Sequence, residues 1–466
     1  MIAIVAALVS GAMFYLSQGL TEVWALAWIA PAPLLWLAYG KTPTWQVVLA
    51  SVVAILAGEI YALQCYWGML PPVIFLQVMG PQAVLFPLAI VFARTVARRA
   101  TPLFTLFAFP VCWTAFEFLS HRVAPNGTYG SIAYSQISAP FLIQSASLFG
   151  LYVVTFLICL FANTVAMAVK ARRGSAVAIG VGVAICAANV VFGIARLAAP
   201  QSEAVRVAAM VDETAMKNAW HARTLADARA VSEAYASATL NAAAHGAKFV
   251  VTPEGGIVTT AALRSAILAP LVAVSKQTGT QMIAGVYQRQ PEGDIAFSIL
   301  PDGTMQQYDK RHLVPVLEDN FTPGHVSGWL GHGRLMQICK DLDFPGTVRA
   351  DAEAGARLMG VPAGDFGTDA WLHARMAVMR GVENGFALVR AANEGLVTAS
   401  DAQGRLIATK MDTPTGLTMV VADLPLGPGP TLYTRIGDVF PWLCVVLIAL
   451  GAFLLPPKKQ DVPALA

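Results

Sequence analysis

Charge is what this chain has least of. Asp, Glu, Lys and Arg make up 13% of its 466 residues, about half the share of a soluble domain. With 56% hydrophobic residues, an ordinary soluble enzyme is excluded and a membrane protein is expected. There is no basic excess either: 31 Lys+Arg face 28 Asp+Glu, a net charge of +3. That is too little to hold a polyphosphate backbone, so nucleic acid is not an expected partner. The same composition excludes disorder, and the chain has no internal repeat or low-complexity tract. No Gly-x-Gly-x-x-Gly turn follows the first soluble strand, which disfavours a dinucleotide site. No Gly-x-Ser-x-Gly elbow supports serine catalysis. His312, His325 and His332 are close in sequence, but no His-x-x-x-His or Cys-x-x-Cys spacing accompanies them, so no metal and no cofactor is expected.

The few charges are unevenly placed. Of the 28 acidic residues, 22 lie between Ala204 and Leu432, which marks a water-soluble domain inserted into a membrane protein. Its roughly 230 residues are ample for one core. Apolar stretches near 2–19, 23–39, 45–64, 72–93, 102–120, 142–168, 176–198 and 437–456 are each close to the ~20 residues that cross a bilayer. Eight spans are therefore expected, with Pro31-Ala-Pro33 bending the second. The domain plan is residues 1–203 as seven spans, 204–432 as the soluble domain, and 433–466 as a last span with a short tail. Met1 to Leu20 lacks a basic leader and a cleavage site and is read as a retained span.

Lys41, the cluster Arg94/Arg98/Arg99, the cluster Lys170/Arg172/Arg173 and the tail Lys458/Lys459 fall on every second loop. By the positive-inside rule that side is cytoplasmic, and the soluble domain faces outward. Glu59 and Glu117 lie within or at the edge of spans, as functional carboxylates or as residues reaching interfacial water.

Within the soluble block, strands are expected at 206–212, 248–252, 281–287, 295–300, 305–308, 335–339, 357–361, 387–390, 396–401 and 418–422. Helices are expected at about 218–244, 261–277 and 368–381. Interleaved strands and helices give an α/β layered domain, either one doubly wound sheet or a two-sheet sandwich.

Five cysteines, Cys65, Cys112, Cys159, Cys186 and Cys444, sit in apolar stretches, and Cys339 alone belongs to the soluble block. Having no disulfide partner there, it is either buried and inert or a reactive thiol. It ends an apolar strand that opens into Lys340, Asp341 and Asp343, where neighbouring helix N-terminal N–H groups would lower its pKa. Glu254 ends a second strand, followed by two glycines, and Lys310 follows a third. Each alone reads as a solvated loop charge. Together they are a chemically complete set: thiol nucleophile, carboxylate base, and ammonium for a developing oxyanion.

In that order, Glu254, Lys310 and Cys339 resemble the Glu-Lys-Cys triad of the nitrilase superfamily, and Cys339-x-Asp341-x-x-Phe344-Pro345 is similar to the cysteine motif of its amidases. Eight spans with the domain between the seventh and eighth narrow the resemblance to the membrane-embedded apolipoprotein N-acyltransferases. Tyr308 to Pro315 with Glu318, Ala133-Tyr134-Ser-Gln136, Met376 to Gly385, and Arg390 to Gly395 carry the match. The resemblance implies an α-β-β-α sandwich on the outer face of a bacterial inner membrane, in a monomer. It implies a phospholipid donor of the acyl group, a Cys339 thioester, and the amine of a diacylglyceryl-cysteine lipoprotein as acceptor. It makes Glu254 the base, Lys310 the oxyanion stabiliser and Glu318 a supporting carboxylate, which is otherwise a loop acid. Substrate contacts are expected at Tyr134, Gln136, Phe321, Asp341, Phe366 and Asn393. The chain departs from the family's pattern at Lys340-Asp341, where an aromatic and Glu are usual, and at Pro315-Val-Leu-Glu318, Asp365-Phe366 and Gly255-Gly256. At the level of sequence, a membrane-embedded amidase, an acyltransferase using another amine or lipid, and a catalytically silent scaffold stay open.

Overall fold

The computed structural model describes residues 1–170 and 174–454. Arg172, Arg173 and the tail lysines Lys458 and Lys459, used above for orientation, lie outside them, as does the end of the eighth apolar stretch.

Thirteen strands are present among the described residues: β1 (Ala204–Asp212), β2 (Phe249–Val251), β3 (Ile257–Thr259), β4 (Gln281–Arg289), β5 (Glu292–Ile299), β6 (Met305–Asp309), β7 (Trp329–Gly331), β8 (Arg334–Met336), β9 (Leu358–Gly364), β10 (Ala387–Asn393), β11 (Leu396–Ser400), β12 (Leu406–Met411) and β13 (Leu417–Pro425). They form two sheets. One has the order β13-β1-β2-β4-β5-β6 with β3 beside β4, and the other the order β12-β11-β10-β9-β8-β7. Strands β1, β2 and β4 run parallel, as do β8, β9 and β10.

The composition of β1 explains the layering. Val207, Ala209 and Val211 point into the core between the sheets, while Ala208 and Met210 meet the helices outside. Both faces are covered, so the run is apolar without alternation. Helices Leu225–Ala244 and Arg264–Thr278 cover the first sheet through Tyr235 and Leu268. Helices Pro345–Ala352 and Ala370–Asn384 cover the second through Val348 and Ala377. The domain is thus an α-β-β-α sandwich, which resolves the choice between one sheet and two.

Among the described residues, five helices are long and apolar enough to cross a membrane: Thr44–Tyr66, Pro72–Arg99, Pro102–Val123, Leu151–Lys170 and Ala176–Leu197. Ile2–Gln18, Trp24–Ala38 and Val439–Gly451 are apolar but shorter. The second stretch is broken into Trp24–Ala27 and Ala32–Ala38 around Pro31, where proline removes a helical donor. The expected span at 142–168 is displaced. Two single-turn helices occupy Pro140–Ile143 and Ala146–Phe149, and Gly150 at φ +77 separates them from the long helix Leu151–Lys170.

The two halves interlock along helix 370–384. Trp371 and Arg375 donate to Glu22 and to the Gln18 carbonyl, Arg380 donates to Tyr134, and Glu383 accepts from the Leu151 N–H at 2.6 Å. Arg94 and Lys170 lie at the other end of the bundle, where Arg94 donates to the Thr42 carbonyl at 2.6 Å and the Lys170 ammonium lies over Trp36 beside Gly40.

Candidate active site

The site forms at the carboxyl ends of the parallel strands, where α/β sheets present loops toward ligands. Glu254 follows β2 by three residues and is fastened across to the second sheet, its N–H donating to the Ala363 carbonyl of β9 at 3.3 Å. Gly285 of β4 lies directly beneath this turn. Any Cβ there would overlap the Pro253 carbonyl, so only glycine lets the acid loop lie so close. Lys310 directly follows β6, and its own N–H donates to the Asp294 carbonyl of β5 at 3.0 Å.

Cys339 does not end a strand. Strand β8 stops at Met336, and Cys339 opens a five-residue 3-10 turn, Cys339–Asp343, with φ +38. A positive φ at a residue bearing a Cβ is strained and persists only when the surroundings over-determine it. Here the surroundings do. Asp341 accepts from Tyr308 Oη at 2.7 Å, from the His312 and Arg311 N–H groups at 2.8 and 3.1 Å, and from the Ile338 N–H at 3.2 Å. It ties the cysteine turn to the lysine-bearing segment.

Lys310 is fully buried, and its Nζ lies 2.5 Å from Glu254 Oε1, 2.7 Å from Glu318 Oε1 and 3.1 Å from Asp294 Oδ2. Oxygens of the three carboxylates lie within 4.8 Å of one another, a spacing that would suit a metal ion, but the ammonium fills the space between them. Glu318 is itself braced by the Val314 N–H at 2.7 Å.

Burial would raise every acid here, and the lysine decides which one keeps a charge. At Glu254 the Lys310 ammonium, with hydrogen bonds from Asp294, Lys310 and Cys339, overcomes burial and holds the carboxyl at about 2. At Asp294 burial and the neighbouring Glu254 charge prevail and push it well above the usual range, and at Glu318 burial does the same more weakly. At Lys310 burial is outweighed by Glu254 and Asp294, so it stays charged. The cysteine expectation needs correction. Burial, then the Glu254 charge, push the Cys339 thiol up, and Lys310 and Arg390 offset this only in part. Cys339 therefore rests as a neutral thiol, its Sγ donating to the Gly364 carbonyl at 3.3 Å.

A cavity of about 410 Å³ opens over these groups. Glu254, Lys310, Cys339, Asp294 and Glu318 form its polar floor, and Tyr66, Leu70, Ile74, Phe75 and Val78 of the N-terminal helical region form an apolar wall. Phe321, Phe366 and Asn393 also line it. Tyr134, Gln136 and Asp341 do not. Tyr134 meets Arg380, Gln136 accepts from Trp28 Nε1 at 2.7 Å, and Asp341 is taken up by the four bonds above. The expectation that these three side chains contact substrate is corrected: they are buried and committed to the protein. His312 stacks on Phe344 with ring centroids 3.7 Å apart and meets Thr347 Oγ1 at 2.7 Å, so it braces the lysine-bearing segment.

Two charged groups escape the sequence reading. Asp294 looks like the polar start of an exposed strand, yet it shares the inward face with Ala296, and that alternation was the available signal. His373 lines the cavity from helix 370–384, 3.1 Å from Asp369, which also accepts from Tyr66 Oη at 2.7 Å. Burial lowers His373, but Asp369 overrides it and raises the imidazole to about 9. Nothing in the spacing of His373 sets it apart from any helical histidine.

The chain matches the carbon-nitrogen hydrolase family over residues 183–427 and the apolipoprotein N-acyltransferase N-terminal domain over residues 10–164. It is 27% identical to an apolipoprotein N-acyltransferase of Geobacter metallireducens, covering 97% of this chain and 95% of that protein. To one of Vibrio vulnificus it is 24% identical, covering 98% and 97%. A nitrilase-superfamily amidase from Nesterenkonia aligns with 49% of this chain and 93% of its own, at 24% identity and a TM-score of 0.40.

Proposed function

Because the chain belongs to the carbon-nitrogen hydrolase family and its N-terminal part is that of apolipoprotein N-acyltransferases, we propose that it N-acylates lipoproteins through a thioester on Cys339. Relatives bearing that activity in their name align over nearly the whole length of both chains, which favours acyl transfer over an amidase or a silent scaffold. The observation that carries the reading is the cavity itself, with a thiol, a carboxylate and a fixed ammonium at its floor and membrane helices as one wall.

The chemistry follows from the protonation states. Since the thiol is neutral, its proton must leave as Sγ attacks the sn-1 ester carbonyl carbon of a phospholipid, and Glu254 is the ionised base beside it. The oxyanion collapses, the C–O bond breaks, and the lysophospholipid oxygen takes the proton from Glu254. The amine of the lipoprotein's diacylglyceryl cysteine then attacks the thioester. The C–N bond forms, the C–S bond breaks, and the amine's proton returns through Glu254 to the sulfur. Lys310 keeps its proton throughout and acts as a fixed positive charge toward both tetrahedral intermediates. Glu318 and Asp294 hold it in place. Phe321, Phe366 and Asn393 contact the substrates.

The same proposal takes residues 1–203 and 433–466 as eight spans in a bacterial inner membrane, with residues 204–432 on the periplasmic face of a monomer. Basic residues at the bundle end remote from the catalytic domain support that orientation. The test is the N-terminal mass of a reporter lipoprotein in cells depleted of their own acyltransferase. Expression of this chain should add one fatty-acyl group, and expression of Cys339→Ala should not. A free amine in both would end the reading.

A further inference from the structure

The chain between helix Pro102–Val123 and the turn Ile132–Gln136 leaves the bundle and grips the nucleophile's own turn. Thr128 donates both its N–H, at 2.9 Å, and its hydroxyl, at 2.7 Å, to the single carbonyl oxygen of Asp343. Two residues earlier, Asn126 Oδ1 accepts from Lys340 Nζ at 2.8 Å. Between them Gly127 has φ +52, and a Cβ there would overlap the Asp343 carbonyl. Thr128 is itself held. Its hydroxyl lies 2.6 Å from Tyr134 Oη, which accepts from Arg380 at 2.8 Å, and Tyr134 and Arg380 are fully buried. Since Thr128 gives its proton to Asp343, the donors run in one direction: from the Arg380 guanidinium to Tyr134, to Thr128, to the cysteine turn. Such aligned bonds polarise and stiffen one another.

The five-residue turn Cys339–Asp343 is therefore clamped from two sides, at Asp341 by the lysine-bearing segment and at Lys340 and Asp343 by the membrane domain's outer loop. We infer that Asn126 and Thr128 are positioning residues for the thiol: the transmembrane bundle, through this loop, sets where Cys339 Sγ stands relative to Glu254 and Lys310. The inference rests on the reading of Cys339 as nucleophile. Its physical basis is the strained backbone of Cys339, which relaxes when one clamp is removed. A shift of about 1 Å at a nucleophile costs on the order of a hundredfold in rate.

The test compares Thr128→Val, which keeps the shape and loses the hydroxyl, with Thr128→Ser, which keeps the hydroxyl, both in the full-length protein in detergent micelles. Two rates are read. One is alkylation of Cys339 by iodoacetamide, located by peptide mass mapping and independent of any acyl substrate. The other is single-turnover appearance of an acyl adduct from mixed micelles of a diacyl phospholipid. Thr128→Val is expected to slow both by about tenfold or more while the phospholipid KM and the unfolding midpoint stay near the parental values, and Thr128→Ser is expected to restore both rates. The inference is overturned if the Val variant matches the parent in both rates. It is equally overturned if Val and Ser lose rate and unfolding midpoint together, because the loop then only packs. If Val slows alkylation while even the parent takes no acyl group from phospholipid, positioning stands and the donor assignment fails.

Discussion

Lys310 is the residue whose surroundings say most about the chemistry. A buried ammonium among three carboxylates is held by geometry that no solvated lysine would adopt, and removing it leaves the Glu254 charge buried beside two further carboxyls with no counter-charge. Lys310→Met is expected to abolish acyl transfer and to destabilise the protein by about 3–5 kcal/mol. Adding Asp294→Asn, which removes one of the stranded carboxyls, should recover part of that stability and none of the activity. Calorimetric unfolding in micelles, read beside the acyl-transfer rate, checks both. Cys339 yields a second expectation. Since burial and the Glu254 charge raise its thiol, alkylation should keep accelerating above pH 9 and show no plateau near neutrality. A neutral-pH plateau would mean a thiolate at rest and a different division of labour with Glu254.

At the scale of elements, the short apolar runs before Glu254, Lys310 and Cys339 are legible in the sequence, while the turns that carry Glu254 beyond the end of β2 and Cys339 beyond the end of β8 are not. The sequence pattern was less informative where the elements are short or irregular. Strands β3 and β7 have three residues each, too few to show a period. Strand β12 lies at a sheet edge and is largely exposed. The helix expected at 218–244 is broken before Leu225, where Thr224 caps a new helix through a reciprocal bond with Asp227, a pairing whose spacing is present in the sequence. That the four bonds of Asp341 all close on the protein is a tertiary fact, which its place two residues after Cys339 does not reveal. Helix 370–384 carries its own prediction. His373 is raised to about 9 by Asp369, and Asp369 is lowered to about 2 by His373 despite burial. A raised histidine contributes stability that is full below its ordinary value of 6.5 and is lost as pH rises through about 9. A lowered aspartate contributes above its ordinary 3.8 and loses this as pH falls through about 2. Between pH 6.5 and 9.5 the parental unfolding free energy should therefore fall, by an amount on the order of 3 kcal/mol, and the unfolding midpoint with it, and in His373→Gln that slope should be largely absent. Equal slopes in the two proteins would mean the pair does not hold the helix to Tyr66.

In the molecule as a whole, a hydrolase-type sandwich is set on a membrane bundle so that one cavity has both a polar floor and an apolar wall. Orientation can be checked without any assay of activity. A cysteine introduced at the exposed Leu406 of the catalytic domain should react with a membrane-impermeant maleimide in spheroplasts, whereas one at Lys41, at the basic end of the bundle, should react only after lysis. The reverse pattern would turn the protein over in the membrane and remove lipoproteins from reach. The most direct measurement of the central claim is intact-protein mass after incubation with a phospholipid of defined acyl chains and no acceptor. The account predicts a gain of one acyl chain on Cys339, equimolar release of lysophospholipid, and loss of the adduct on adding a diacylglyceryl-cysteine peptide. An unmodified Cys339 in folded protein, or an acyl group carried on any other residue, would contradict it.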